Sequence, residues 1–200
     1  MKKFKYKVLK SVLSPEILDY TYSYFTLKER ATKFLFENKI ISPFFKLFGY
    51  YGDQQIPNTY NSYGDPLAET ILTKLKSKIE KVYGKSLIET YAYTRLYKNG
   101  DELKRHIDRK SCELSATLNI GGDPWPIHID LTGGRNKVGT KIDLKPGDLL
   151  VYKGCEHEHW REVFKGKKCL QIFLHYNPKR GKNSQKYDGR PFLGIPDFDL

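Results

Sequence analysis

The hydrophobic period of the chain changes at Thr90, and no other feature of the sequence constrains the fold as much. Downstream, apolar and aromatic residues fall in short runs: Thr90–Lys98, Ser111–Ile120, Pro126–Leu131, Val138–Leu144, Asp148–Tyr152, Glu156–Val163 and Lys168–Tyr176, with a shorter one around Leu103–Ile107. Gly, Pro, Asn and Asp separate them, as turn residues separate strands. Many short strands punctuated in this way point to a closed or double-sheet β core. Upstream the period is helical. Ser14 can cap a helix that Pro15 opens, and Ile17, Leu18, Phe25, Leu27, Phe34 and Leu35 support one or two helices up to about Asn38. Asp65 and Pro66 open a second helix, whose stripe of Leu67, Ile71, Leu72, Leu75, Ile79 and Val82 runs to Gly84. The aromatic connection Ile40 to Tyr63 either packs on the core or covers a site, and packing is the expectation. One mainly β domain follows: residues 1–89 as helical support and aromatic connection, 90–176 as the strand core, and 177–200 as an irregular tail.

Composition narrows the class. Hydrophobic residues make up 39% of 200, enough for a core and too many for a disordered basic tail. The formal net charge is +12, from 35 basic and 23 acidic residues. Such an excess fits a nucleic-acid or anionic partner, but lysines that only solvate the surface explain it as well. Cys112, Cys155 and Cys169 are sparse and odd in number, which is not a disulfide scaffold. No apolar run of signal-peptide or membrane-spanning length follows the basic Met1–Lys10 segment, so a reducing cytoplasm is the expected setting.

The polar residues mark a metal site. In His106-Ile107-Asp108 a histidine and a carboxylate stand two apart, on one face if the segment is extended. Glu156-His157-Glu158-His159-Trp160-Arg161-Glu162 supplies further candidate ligands. Two histidines and one carboxylate, with the remaining positions open, form the donor set of non-haem iron(II) oxygenases. A second copy, His128-Ile129-Asp130, lies within alternating Trp125–Leu131 and reads as an ordinary half-buried strand.

Several ordered motifs carry a family resemblance. They are Tyr93-Thr94-Arg95-Leu96-Tyr97, Gly100-Asp101, His106-Ile107-Asp108-Arg109, Ser111 to Asn119, Leu144-Lys145-Pro146-Gly147-Asp148, His159-Trp160-Arg161-Glu162 and Phe173-Leu174-His175-Tyr176. Together, over roughly Gln55 to Tyr176, the chain resembles the 2-oxoglutarate and iron(II)-dependent dioxygenases. The resemblance is to the prolyl 4-hydroxylase-like branch found in viruses of algae and cyanobacteria. It implies a double-stranded β-helix (jelly-roll) core with N-terminal helices against one sheet. It also implies Fe(II), 2-oxoglutarate and O2 as cofactor and co-substrates, and a peptide or protein substrate hydroxylated at proline, with release of succinate and CO2. It assigns His106, Asp108 and His159 as ligands, and Lys168 as the cation for the far carboxylate of 2-oxoglutarate, with Lys167 or Arg161 in reserve. Tyr97 and Thr117 take co-substrate-facing positions. Arg109, Trp125, Trp160, Arg161 and Glu162 are candidates for the substrate mouth.

Two other enzyme or binding classes compete with this reading. A nucleic-acid-directed oxygenase would use the positive charge on phosphates, but the paired arginines six apart that such enzymes place after the distal histidine are missing here. A cupin-type metal protein that does not use 2-oxoglutarate would recruit His157, His159 and Glu162.

Overall fold

The computed structural model describes residues 4–135, 138–183 and 185–196. Eleven strands and two long helices follow in the order β1 (Tyr6–Leu9), α1 (Pro15–Glu37), β2 (Tyr50–Tyr51), β3 (Tyr60–Tyr63), α2 (Pro66–Tyr83), β4 (Leu87–Lys98), β5 (Leu103–His106), β6 (Leu114–Gly122), β7 (Ile127–Ile129), β8 (Thr140–Ile142), β9 (Leu149–Tyr152), β10 (His159–Arg161) and β11 (Lys168–Pro178). They form a seven-stranded major sheet, ordered β1-β9-β6-β11-β4-β3-β2, and a four-stranded minor sheet, β5-β10-β7-β8. All the pairings are antiparallel. This is the mainly β, double-sheet core that the strand pattern predicts, in the jelly-roll form with helical support that the resemblance implies.

The major sheet is buried on both faces, and alternation sorts its side chains. Leu96, Ala116, Leu118, Leu170, Ile172 and Leu174 turn outward against Phe25 of α1 and Leu72, Leu75 and Ile79 of α2. Tyr97, Cys169 and Phe173 turn inward, where they meet Trp125 and Phe164. One bulge separates the outer and inner registers of β6: Leu170 faces Gly121 while Gln171 faces Asn119. Gly122 closes this turn at φ +95°, and a Cβ there would strike the backbone of Lys168.

Both helices are set by their first residues. Asp65 accepts from the amides of Leu67 and Ala68 and caps α2, while Gly84 ends it in the left-handed region. Ser14 caps α1, which runs unbroken for 23 residues. The expected apolar face of α1 is corrected in part: Ile17, Leu27 and Phe34 are 48, 69 and 59% exposed. The helix instead packs on the core through Phe25, Leu18, Tyr22 and Tyr24, while the buried hydroxyls of Thr21 and Thr32 bond the carbonyls of Ile17 and Lys28 within the helix.

Three strands lie outside the expected set: β1 pairs with β9, and β2 and β3 extend the sheet beyond β4. The aromatic connection is thus partly sheet, as packing predicts, yet Asp53, Gln54 and Gln55 between its two strands also line the central cavity. No described helix is long and apolar enough to cross a membrane.

Candidate metal centre

The site sits where the minor sheet opens. Residues His159 and His106 are direct cross-strand partners on β10 and β5, so the register alone sets two imidazoles side by side, with ring centroids 4.2 Å apart. Asp108 follows β5 and is anchored by its amide, which donates to the carbonyl of Gly154 at 2.9 Å. Its Oδ1 lies 3.6 Å from Nε2 of His106 and 3.4 Å from Nε2 of His159. One donor atom from each of the three falls within 4.8 Å of the others.

The tautomers are fixed by the backbone. Nδ1 of His106 bonds the carbonyl of Lys104 at 2.7 Å, and Nδ1 of His159 bonds that of His157 at 3.0 Å. Since a carbonyl only accepts, both Nδ1 atoms carry hydrogen, and it is Nε2 of each ring that is turned toward Asp108. Burial opposes ionisation of Asp108. His159 beside it, with hydrogen bonds from His106 and His159, still holds its carboxyl well below the usual range. Two imidazole Nε2 atoms, each a ligand once its proton is displaced, and a carboxylate aimed at one point are a donor set suited to a divalent first-row metal, so the residues fit the ion their pattern implies.

The cluster opens on a cavity of about 430 Å³ lined by Tyr50, Tyr91, Tyr93, Phe173, Arg95 and Arg109, among others. Arg95 is buried, ion-paired with Asp53 and bonded to Asn61 at 2.7 Å, which ties the aromatic connection to β4. Arg109 lies over the Tyr91 ring at 4.6 Å and pairs with Asp188 of the tail.

Deeper in the barrel lies Arg161, two residues beyond His159. It is 1% exposed. Its guanidinium donates to the carbonyl of Trp125 and to Gln171 at 3.2 Å, and Nε has no partner. Burial lowers its pKa, and the neighbouring groups that act on its charge are Tyr97, Cys169 and Tyr152, none of them a carboxylate. Tyr97 is buried and accepts from Arg95 at 3.4 Å, and Thr117 is buried beside Tyr152.

Lys168, the cation that the resemblance implies, stands elsewhere than the barrel interior. It lies at the start of β11 with Nζ 3.5 Å from Glu29 of α1, and its side chain is 44% exposed. Cys169 takes the inward place instead. Of the mouth candidates, Arg109 lines the cavity. Trp125 is interior, packed on Tyr97 and Phe164 and donating to the carbonyl of Glu162. Trp160 points away from the barrel, stacked between His128 at 5.4 Å and Arg105 at 4.4 Å. Glu162 is exposed. The second H-x-D copy is structural: the Asp130 carboxylate binds Arg105 and the Thr132 and Gly134 amides. His157 is not part of the ligand cluster and gives His159 only its carbonyl.

Sequence reasoning missed Ser115, Gly154, His175 and Asp53 as site residues. The signal for Ser115 was parity: Ser115, Thr117 and Asn119 alternate with Ala116, Leu118 and Ile120, and polar residues on a doubly buried strand face an interior with polar business.

No protein-family model matches the chain, and no curated sequence is similar to it. Solved structures share the fold. A Pseudomonas putida prolyl-4-hydroxylase superposes with a TM-score of 0.63 at 14% identity, covering 88% of this chain and 94% of that one. The viral collagen prolyl hydroxylase of Paramecium Bursaria Chlorella virus-1, a 2-oxoglutarate complex, gives 0.59 at 12% over 86% and 96%. HygX from Streptomyces hygroscopicus, with nickel, 2-oxoglutarate and hygromycin B bound, gives 0.62 at 12% over 89% and 84%.

Proposed function

We propose that this protein is a 2-oxoglutarate- and iron(II)-dependent dioxygenase that hydroxylates a substrate C–H bond, with a prolyl residue of a peptide or protein as the substrate. What carries the reading is Arg161, a buried cation without a carboxylate partner among the described residues, on the same strand as a metal ligand. A buried charge left unpaired costs several kcal/mol, so the site is built for an anion. Arg161 stands two residues from His159, roughly 6.5 Å along an extended strand, a span that a five-carbon diacid bridges. Arg161, with Thr117 and Tyr97 beside it, takes the far carboxylate in this reading, in place of Lys168.

Iron(II) would be held by Nε2 of His106 and His159 and by Oδ1 of Asp108. When bound it supplies the redox chemistry by which dioxygen and 2-oxoglutarate become succinate and CO2 while a substrate C–H becomes C–OH. The protein's own share is positioning and exclusion. The backbone carbonyls of Lys104 and His157 hold the ligand tautomers. Tyr91, Tyr93 and Phe173 wall the cavity and limit water. Arg109, held by Asp188, stands at its edge. A cavity walled by aromatic rings suits the compact apolar ring of proline, and the prolyl hydroxylases among the structural relatives support the same substrate.

The decisive experiment is anaerobic addition of iron(II) and 2-oxoglutarate, read by the metal-to-ligand absorption band in wild type and Asp108→Ala. A band in wild type that Asp108→Ala loses is expected; no band in wild type defeats the proposal. Succinate release above the uncoupled background on a panel of proline-rich peptides tests the substrate. A flat panel removes the prolyl assignment and leaves the oxygenase standing.

A further inference from the structure

We infer that Ser115 and His175 are positioning residues for Asp108, holding one carboxylate oxygen so that only the other is offered to the metal. The inference rests on the reading of His106, Asp108 and His159 as ligands. The two oxygens of Asp108 have different surroundings. Oδ1 faces Nε2 of both histidines. Oδ2 accepts from the Ser115 hydroxyl at 2.5 Å, and Nδ1 of His175 lies 3.1 Å from the same hydroxyl.

The proton order follows from donor counting. A serine has one hydrogen, and the ionised carboxylate is its strongest acceptor. His175 must then donate from Nδ1 to the serine oxygen, which completes a chain His175 to Ser115 to Asp108. The His175 ring is itself fixed, packed at 4.5 Å on Tyr91, which packs in turn on Tyr63 at 4.9 Å. The chain therefore starts from an immobile group.

Gly154 closes the cradle. Its φ is ordinary, so backbone freedom is not the reason for glycine there. A Cβ at that position would run into Asp108 Oδ2 and Ser115 Oγ and come within 2.6 Å of the Cys112 carbonyl. The backbone of residue 154 thus lies flat over the Ser115–Asp108 bond, and its carbonyl also takes the Asp108 amide.

A carboxylate free to turn can bind a metal through both oxygens and fill a position that an open site must leave vacant. Pinning Oδ2 prevents this and orders the ligand before the metal arrives. Partners of this kind are worth about 10- to 100-fold in metal affinity.

The test uses metal-free full-length protein, with Mn(II) affinity by calorimetry and the ligand-field spectrum of the Co(II)-loaded form. Ser115→Ala is expected to weaken Mn(II) binding by about 10- to 100-fold and to change the Co(II) spectrum as the carboxylate changes its mode. Ser115→Thr, which keeps the hydroxyl, should restore both. Gly154→Ala should reproduce the loss with Ser115 intact. Wild-type affinity or a wild-type spectrum in Ser115→Ala overturns the inference. If Ser115→Ala does not fold, Gly154→Ala and His175→Gln decide it by the same two readings. Wild-type protein that binds neither metal refutes the ligand assignment instead, which separates the two failures.

Discussion

Exchanging the two candidate cations separates geometry from sequence position. Arg161→Met removes a fork of N–H donors that is buried and has no acid beside it. Lys168→Met removes an exposed ammonium 3.5 Å from Glu29. If Arg161 receives the far carboxylate of 2-oxoglutarate through two charge-assisted hydrogen bonds, each is worth about 1.5–3 kcal/mol. Their loss then costs about 3–6 kcal/mol, or roughly 10²- to 10⁴-fold in affinity. The Lys168–Glu29 pair is worth about 0–1 kcal/mol of stability and nothing to the ligand. Arg161→Lys keeps the charge but loses the fork, and should fall between wild type and Met. The assay is anaerobic titration of 2-oxoglutarate into iron(II)-loaded protein, followed by the absorption band, with thermal melting to confirm that each variant is folded. A tenfold or larger loss in Lys168→Met, with Arg161→Met unaffected, would refute the argument from burial.

Other outcomes are equally specific. Burial lowers the pKa of His175 from 6.5 to about 4. The unfolded chain therefore takes up a proton that the folded chain refuses. The contribution is whole above pH 6.5 and is lost as pH falls toward 4, by about 3 kcal/mol; urea denaturation of metal-free wild type and His175→Gln at both pH values should differ by that amount. Asp65→Ala removes the α2 cap together with the partner of Lys28, whose side chain is only 12% exposed. A cap is worth about 1 kcal/mol, and a stranded buried charge adds more, so a loss of about 2–4 kcal/mol is expected from chemical denaturation. His157→Ala should leave Mn(II) affinity unchanged by calorimetry while His106→Ala abolishes it; the reverse would favour a cupin-type site.

The fold was legible wherever a segment carries its own period. Strands β4, β6, β9 and β11 and helix α2 bury a continuous set of side chains, so their apolar residues recur regularly enough to read. Strands β1, β2 and β3 were not legible because they are two to four residues long and take their stability from distant partners, Tyr6 from Tyr152 and Tyr60 from Leu96. The candidate metal cluster was legible because its three residues lie in two compact motifs. Which basic residue faces inward was not, since the choice between Lys168 and its neighbours is a matter of strand parity. A one-residue difference in the turn before β11 exchanges the inner and outer faces, and here it puts Cys169 inside and Lys168 against Glu29.

Pairing, more than net charge, tells where an anionic ligand belongs. The excess of +12 suggests an anionic partner without locating it. In the folded chain most of the basic groups that reach the sheets are already satisfied: Arg95 by Asp53, Arg105 by Asp130 and Glu158, Arg109 by Asp188, and Arg190 by Glu69. Lys10, Lys28, Lys76 and Lys98 are matched in the same way by Asp148, Asp65, Glu89 and Asp101. Among the described residues the buried arginines are Arg95, Arg161 and Arg190, and Arg161 is the one without an acid. An exposed lysine without a partner costs nothing, because water solvates it. A buried guanidinium with a free Nε does cost, and a fold that keeps one must recover that energy when a ligand arrives. Among the described residues Arg161 is the one unmatched charge in the barrel, so the proposed co-substrate carboxylate is assigned there, and the many matched charges outside it carry no such information.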